Sequence, residues 1–268
     1  MEILLKTIAL HLFKGHYCQV NMKYNTNYFL VFLLISTVAV ILLAAISSLD
    51  LTYGQNGQPK IFLPGSSPYG IPFNQWIGKW WQWFVTVPKT ESPNHPDYPN
   101  HISNVDCAIK QNISSPVFFL FAPLVDEPSA ERTCIVPKDK AILIPIISAE
   151  ADNGDPEQTD KSEQGLIQTA KAGNDYGAIS IKLDNTKLNF NENSKFRAMS
   201  DFFNITLPEH NLWEEKEVPG TYKGITEGYF LFLNPLPPGN HTLYYEAATN
   251  PPNPNVYAQT VTYHLNVK

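Results

Sequence analysis

The chain has 268 residues, of which 43% are hydrophobic and 16% charged, and its net charge at pH 7 is −6. Arg132 and Arg197 are its two arginines, and no run of basic residues occurs. Because nucleic acids are bound through clustered Lys and Arg, this composition predicts no nucleic-acid partner.

An apolar run covers residues 29–46, and these 18 residues are just long enough to cross the hydrocarbon layer as a helix. Lys6, Lys14 and Lys23 precede the run, whereas only Lys60 follows it closely. This charge distribution predicts that everything after Gly54 lies outside the cytosol. The part that begins at Gln55 carries 16 basic and 23 acidic residues, a net charge of −7.

The run has two interpretations. A signal peptide cleaved after Gly54 would release a secreted protein, whereas a retained run would be a membrane anchor with the C-terminal domain outside. Translation starts at either Met1 or Met22, since the latter would give an ordinary signal peptide. We therefore expect an N-terminal extension with a signal or anchor over residues 1–54, a linker over 55–71 and one domain over 72–268.

Covalent features consistent with export follow from the same expectation. Cys107 and Cys134 would share an oxidising compartment and are predicted to form a disulfide. Asn112, Asn204 and Asn240 each begin an N-glycosylation sequon.

The first element of the domain is predicted to be a helix over residues 73–87, between Pro72 and Pro88. Gln75, Lys79, Gln82 and Thr86 form one polar stripe on it, and apolar residues cover the remaining surface. Residues at this spacing are typical of core anchors, so Trp76, Trp80 and Trp83 are predicted to be structural. A ligand platform of stacked tryptophans is the alternative.

Segments rich in β-branched and aromatic residues predict strands, which are residues 116–122, 132–136, 140–147, 178–183, 196–206, 228–233, 241–248 and 256–267. Pro145 predicts an edge strand or a bulge, and residues 236–240 predict a type II turn within a hairpin. A short helix after Asp160, with that residue as N-cap, is predicted to end at Gly173. The fold class is therefore mainly β, an antiparallel β-sandwich of jelly-roll or immunoglobulin-like type with one Trp-rich helix packed on it.

Several short motifs carry a resemblance to a known family, namely Trp80-Trp81-Gln82-Trp83, Pro116-Val117-Phe118-Phe119-Leu120, Arg132-Thr133-Cys134-Ile135-Val136-Pro137, Pro145-Ile146-Ile147, Gly228-Tyr229-Phe230 and the segment 235–243. With these motifs the chain resembles a family of uncharacterised exported β-rich proteins of soil archaea and bacteria. The resemblance spans nearly all of residues 68–267 and implies a secreted β-rich domain, with no activity or catalytic residues to transfer. One departure is Asp139, where that family usually has glycine before Lys140.

Two clusters could ligate metal ions. His95, Asp97, His101 and Asp106 share one Pro-rich loop and could bind zinc or copper, although their spacing matches no established site. The acidic stretch 150–160 is predicted to be a loop, and it offers carboxylates that calcium prefers: Glu150, Asp152, Asp155, Glu157 and Asp160. An exposed, solvated loop is the simpler interpretation of each cluster.

The sequence has no Gly-x-Ser-x-Gly, His-Glu-x-x-His or paired Cys–His signature, so no catalytic residue is predicted. The leading hypothesis is an exported, non-catalytic module that binds a carbohydrate, another envelope component or a protein through its loops, the usual binding places of a β-sandwich. One alternative is a secreted hydrolase or metal-dependent enzyme whose site is assembled from distant loops. The other is an outward-facing accessory subunit of a membrane complex, which requires that residues 29–46 are retained.

Overall fold

The chain folds around two mixed β-sheets and one tryptophan-rich helix, as seen in a computed structural model. The structure describes residues 59–91, 107–123, 129–172, 176–188, 196–213, 218–249 and 258–268. All of them belong to one compact unit that spans Asp50–Lys268. Among the described residues, no helix is long and apolar enough to cross a membrane. The apolar run 29–46 lies outside the described residues.

Within the described residues, two α-helices and ten strands are numbered in chain order. The helices are α1 (Phe73–Val85) and α2 (Glu163–Ala172). The strands are β1 (Val117–Phe119), β2 (Ser129–Val136), β3 (Ala141–Asp152), β4 (Tyr176–Leu183), β5 (Thr186–Lys187), β6 (Arg197–Met199), β7 (Phe203–Leu207), β8 (Gly220–Leu233), β9 (Gly239–Thr249) and β10 (Ala258–Val267).

The first sheet has the order β1-β3-β8-β6, with β7 also paired to β8, and the second sheet has the order β2-β10-β9-β4-β5. Strands β1 and β3 are parallel, and so are β2 and β10. The prediction of a mainly β fold is confirmed, whereas the prediction of purely antiparallel sheets is wrong. Parallel pairs join segments separated in the chain, and local turn patterns carry no information about them.

The two sheets share a hydrophobic cluster. It contains Ile142, Ile144 and Leu231 from the first sheet and Tyr245 and Val261 from the second. The alternation predicted for the last strand is confirmed, since alternate residues of β10 are buried. The inner face of each sheet is therefore fixed by a period of two along its strands.

Helix α1 packs on the other face of the first sheet. Trp76, Trp80 and Trp83 are buried there in a second cluster that also includes Phe119 and Phe232. Their three indole N–H groups donate hydrogen bonds of 2.9, 2.9 and 3.0 Å to the carbonyl oxygens of Pro68, Leu120 and Ile109. These bonds orient the rings as core anchors and satisfy their polar atoms.

The helix ends at Val85, two residues before the predicted end. The Thr86 amide and hydroxyl both donate to the Trp83 carbonyl, and the Val87 amide donates to Phe84. This tighter last turn precedes Pro88, whose ring disfavours helical backbone in the residue before it.

Pro145 lies in a central strand and is accommodated by a bulge, one of the two predicted outcomes. The pairing of β3 with β8 shifts between Pro145 and Ile147. The carbonyl of Ile146 in this bulge accepts a hydrogen bond from the buried amide of Gln259 on β10. The irregularity in one sheet thus becomes a polar link to the other.

The predicted hairpin around residues 236–240 is wrong, because β8 and β9 lie in different sheets. Residues 234–238 instead carry the chain from one sheet to the other, and Gly239 begins β9 with a φ of 143°. A hairpin with a two-residue turn lies instead at Asp184 and Asn185, which have φ values of 50° and 64° between β4 and β5. Positive φ at both central residues is the geometry of a type I′ turn.

Part of the predicted linker 55–71 belongs to the first sheet. Ile61 forms an antiparallel bridge with Leu233, and the Phe62 amide donates 2.8 Å to the Phe232 carbonyl. The predicted N-cap of α2 also differs: the Ser162 hydroxyl, rather than Asp160, accepts the Gly165 amide at 3.2 Å. The Asp160 carboxyl instead accepts hydrogen bonds from the Ser162 hydroxyl and, more weakly, from the Ser162 amide, and these bonds lower its pKa below the usual value.

Candidate binding face

The outward side of the second sheet carries an ordered array of exposed and partly exposed polar side chains. We call it the outer face and define it by the outward residues of β2, β10, β9 and β4. Strand register aligns them in rows across the sheet, Ser129–Thr260–Glu246–Ser180, Glu131–Thr262–Tyr244–Lys182 and Thr133–His264–Thr242. Neighbouring strands lie about 4.8 Å apart and alternate residues about 6.7 Å apart, so the rows form a shallow lattice.

Tyr244 lies at the centre of this face and is partly exposed. The Lys182 ammonium lies 5.6 Å from the centroid of the Tyr244 ring, within cation–π range. The Tyr244 hydroxyl donates a hydrogen bond to Glu246 on the same strand. This bond, together with partial desolvation and the negative charge of Glu246, raises the pKa of the Tyr244 phenol above its usual value. Tyr244 is therefore a neutral ring held between a cation and an anion.

A contact between a histidine and a carboxylate lies beside it. His264 Nε2 is 2.8 Å from Glu131 Oε1, and the two side chains are largely exposed. Exposed ion pairs contribute little to stability, so both groups can exchange partners at small cost. The remaining outward residues of the rows are mainly Ser and Thr, which both donate and accept hydrogen bonds.

The chemistry of this face suits a flat ligand with many hydroxyl groups. Carboxylate and hydroxyl side chains can bond sugar hydroxyls, and the Tyr244 ring offers an apolar surface for the C–H face of a sugar ring. Tyr244 is the aromatic residue of the face among the described residues, so no strip of stacked rings is present there.

The acidic stretch 150–160 is not arranged as the predicted loop of calcium ligands. Glu150 and Asp152 belong to β3, the Asp152 side chain accepts the amides of Gly154 and Asp155, and Asp155 accepts the Glu157 amide at 2.8 Å. These carboxylates are used to cap turns. The described residues hold no group of three or more His, Cys, Asp or Glu placed to bind a metal ion.

The other predicted cluster, His95, Asp97, His101 and Asp106, lies outside the described residues. Its metal-binding role stays a prediction.

Cys107 and Cys134 form a disulfide, with their Cα atoms 5.5 Å apart. The bridge ties the segment before β1 to β2 and closes a loop with a sequence separation of 27, which in the chain-entropy model stabilises the fold by roughly 3–4 kcal/mol. Asn112, Asn204 and Asn240 are all exposed. The geometry of the three sequons is therefore compatible with glycosylation.

Histidine and carboxylate meet at one further place, which the sequence did not indicate. His241 Nδ1 lies 2.6 Å from Asp184, and its Nε2 lies 2.8 Å from the Pro237 carbonyl oxygen. Asp184 also accepts the Thr242 amide at 2.9 Å. Within the described residues, the ring nitrogens of His241 and His264 lie within hydrogen-bond distance of carboxylate oxygens and one backbone carbonyl oxygen.

The outer face could not be predicted from the sequence, because its residues come from four strands whose register the sequence does not give. The available signal was the alternation of Thr, Tyr, Glu and His along β9 and β10. That alternation predicted a solvent-facing side without indicating which side chains share a row.

Comparison with protein-family models, with curated proteins and with solved structures found no match. The resemblance to exported β-rich proteins therefore stays an expectation from the motifs. The evidence for a binding site is the geometry of the outer face.

Proposed function

We propose that this protein is an exported, non-catalytic module whose outer face binds a hydroxyl-rich polymer, a carbohydrate of the cell envelope or the extracellular space. The observation that carries the proposal is the row Glu131–Thr262–Tyr244–Lys182, in which a neutral aromatic ring is flanked by hydroxyl, carboxylate and ammonium groups. Jointly these groups match the hydroxyls and apolar ring faces of sugars.

Export is supported by two independent features. Residues 29–46 form an apolar run that fits a signal or anchor, and Cys107 and Cys134 form a disulfide, which persists in oxidising compartments. We propose a β-sandwich of two mixed sheets covered by α1 as the scaffold. Its parallel β2–β10 pair sets it apart from a purely antiparallel jelly roll.

The expected affinity is low for a single site. Contact with one aromatic ring and a few hydrogen bonds to water-exposed groups give a binding free energy only slightly larger than the entropy cost of ordering a sugar. A polymer presents many copies of its repeat, so avidity raises the retention of the protein on an insoluble matrix. The proposal thus predicts retention on polysaccharide and weak binding of short oligosaccharides.

The test is sedimentation of the full-length protein with insoluble cellulose, chitin, xylan and cell-wall preparations. The expected result is retention on at least one matrix that falls about tenfold or more in Tyr244→Ala. Tyr222→Ala is the matched control, because Tyr222 lies on β8 of the first sheet and its hydroxyl donates to the Val218 carbonyl.

A second matched pair isolates the hydroxyl contribution. Thr262→Val removes one hydroxyl from the outer face at nearly constant volume, and Thr206→Val does the same on β7 of the first sheet, where Thr206 is exposed. Equal retention of all four variants would refute binding through the outer face.

A further inference from the structure

We infer that a second surface of the domain binds an anionic phospholipid membrane. This surface lies at the end of the molecule where the chain enters the domain. It consists of the loop 107–116, with Ile113 at its tip, and of four surrounding lysines. This inference rests on the proposed export of the domain and on the membrane role proposed for residues 29–46.

Ile113 is the most exposed of the large apolar residues that the structure describes, with 89% of its surface accessible to solvent. Its loop is nevertheless held in place. Besides the Cys107–Cys134 bridge, the Trp83 indole donates 3.0 Å to the Ile109 carbonyl, and the Lys110 ammonium donates 2.8 Å to the Thr86 carbonyl. Because these contacts already order the loop, binding through its apolar tip costs the loop little further conformational entropy.

Two more side chains fix the loop against β1 and β3. The Gln111 side chain forms two hydrogen bonds with the backbone of β1, as a neighbouring strand would. Its Nε2 donates 2.7 Å to the Phe119 carbonyl oxygen, and its Oε1 accepts the Phe119 amide at 3.2 Å. The Lys140 ammonium donates 2.7 Å to the Ile113 carbonyl. Contacts on both sides of Ile113 thus hold the tip outward.

The charge around the tip is opposite to that of the whole chain. Four lysines belong to this end, namely Lys110, Lys138, Lys140 and Lys268. The segments 107–116 and 137–140 contain one acidic residue, Asp139. The turn and the C-terminal strand are joined by a 2.8 Å hydrogen bond from the Lys138 amide to the Lys268 carbonyl. An apolar tip among cations, on a chain with a net charge of −6, matches an anionic interface.

The chain also enters the domain at this end. Ile61 pairs with Leu233, Leu233 pairs with Ile142, and Ala141 pairs with Val117, just after the loop. Twelve residues separate Ile46 from Pro59 in the sequence, and they can span at most about 40 Å. Where residues 29–46 are retained as an anchor, this short connection raises the effective concentration of the domain at the bilayer.

The test uses full-length protein in lipid nanodiscs, with ¹³C-labelled Ile and Val methyl groups and a gadolinium chelate on a lipid headgroup. In nanodiscs with 30% phosphatidylglycerol, the Ile113 methyl signal is expected to broaden several-fold more than that of Val218. Val218 is the matched reference, because it is 69% exposed and precedes β8, whose start lies at the far end of the first sheet.

The charge contribution is measured with Lys138→Gln and Lys268→Gln, which leave the loop contacts of Lys110 and Lys140 intact. Each lysine near an anionic surface contributes about fivefold, so the double variant is expected to lower the ratio of seated to unseated protein roughly 25-fold. Lys161→Gln with Lys171→Gln is the control for net charge, since Lys161 precedes α2 and Lys171 lies within it, outside both proposed surfaces.

Broadening of Ile113 no greater than that of Val218, or equal broadening in phosphatidylcholine alone, would overturn the inference. So would a glycan on Asn112, which would cover the tip, or protection of Ile113 by an envelope protein extract in the absence of lipid. These outcomes are independent of polysaccharide retention, so failure of this inference is distinguishable from failure of the outer-face proposal.

Discussion

At the scale of one residue, Asp139 is a non-glycine residue with a positive φ in the turn before Lys140. Its φ is 67°, in the left-handed region where a residue with a Cβ costs about 1–2 kcal/mol and glycine costs less. Glycine loses about 0.5–1 kcal/mol more backbone entropy on folding. Asp139→Gly is therefore expected to raise the free energy of unfolding by about 0.5–1 kcal/mol in chemical denaturation, whereas Asp139→Ala should not stabilise the fold.

Tyr244 provides a prediction about pH. The bond to Glu246 raises the pKa of the Tyr244 phenol, so its stabilising effect is complete below the unfolded pKa of 10.0 and is lost as the pH rises through the higher folded value. Absorbance titration at 295 nm should show a component above pH 10 that Tyr244→Phe removes and Glu246→Gln moves toward the ordinary value. An unchanged titration in Glu246→Gln would contradict the contact.

Single residues differ in how far the sequence predicted them. The core role of Trp80 followed from its helical spacing, and the burial of Val261 followed from strand alternation. The contact of Asp184 with His241 did not follow, because 57 residues separate the pair in the chain. Local periodicity indicates which way a side chain points, and only the folded register decides what it meets.

At the scale of the elements, Gly228 of β8 packs directly against the backbone of β3. Its φ is 155°, and a Cβ added there would overlap the Ile147 carbonyl and Ser148. Gly228→Ala is expected to destabilise the fold by about 3 kcal/mol or more, or to prevent folding.

Gly239 supplies the matched control for this substitution. It has a φ of 143°, but apart from its chain neighbours no atom of the described residues lies within 4 Å of the position that a Cβ would occupy. Gly239→Ala should therefore cost only the backbone strain, about 1–2 kcal/mol. Equal costs for the two variants, measured by chemical denaturation, would show that close packing at Gly228 is not the cause.

The tryptophans of α1 offer a second comparison within one element. Trp80 donates 2.9 Å to the Leu120 carbonyl, whereas the Trp81 indole has no hydrogen-bond partner among the described residues. Trp80→Phe should cost about 2–4 kcal/mol of stability because a buried carbonyl also loses its donor, and Trp81→Phe about 1–2 kcal/mol. A larger cost for Trp81→Phe in thermal or chemical unfolding would contradict this assignment of anchors.

Elements were predicted best where one segment carries its own pattern. Helix α1 and strand β10 were predicted nearly to their ends, while residues 196–206 proved to be two strands and residues 150–152 an extension of β3. The hairpin at Gly239 was predicted wrongly because a Pro-Pro-Gly sequence favours a turn without indicating which sheet the chain enters next.

For the whole molecule, composition and pattern predicted the β class, the disulfide and the helix layer. They did not predict the parallel pairs β1–β3 and β2–β10, which join distant segments, nor the outer face that those pairings help to build. The candidate site therefore emerged only with the tertiary structure, and its proposed ligand class rests on side chains brought together by register.

The most direct test of the whole account is the location and redox state of the protein in its native host. The account predicts that protease added to intact cells cleaves the domain and that peptide mass spectrometry recovers Cys107 linked to Cys134. Recovery of the protein from the cytoplasm, with both thiols reduced, would contradict it.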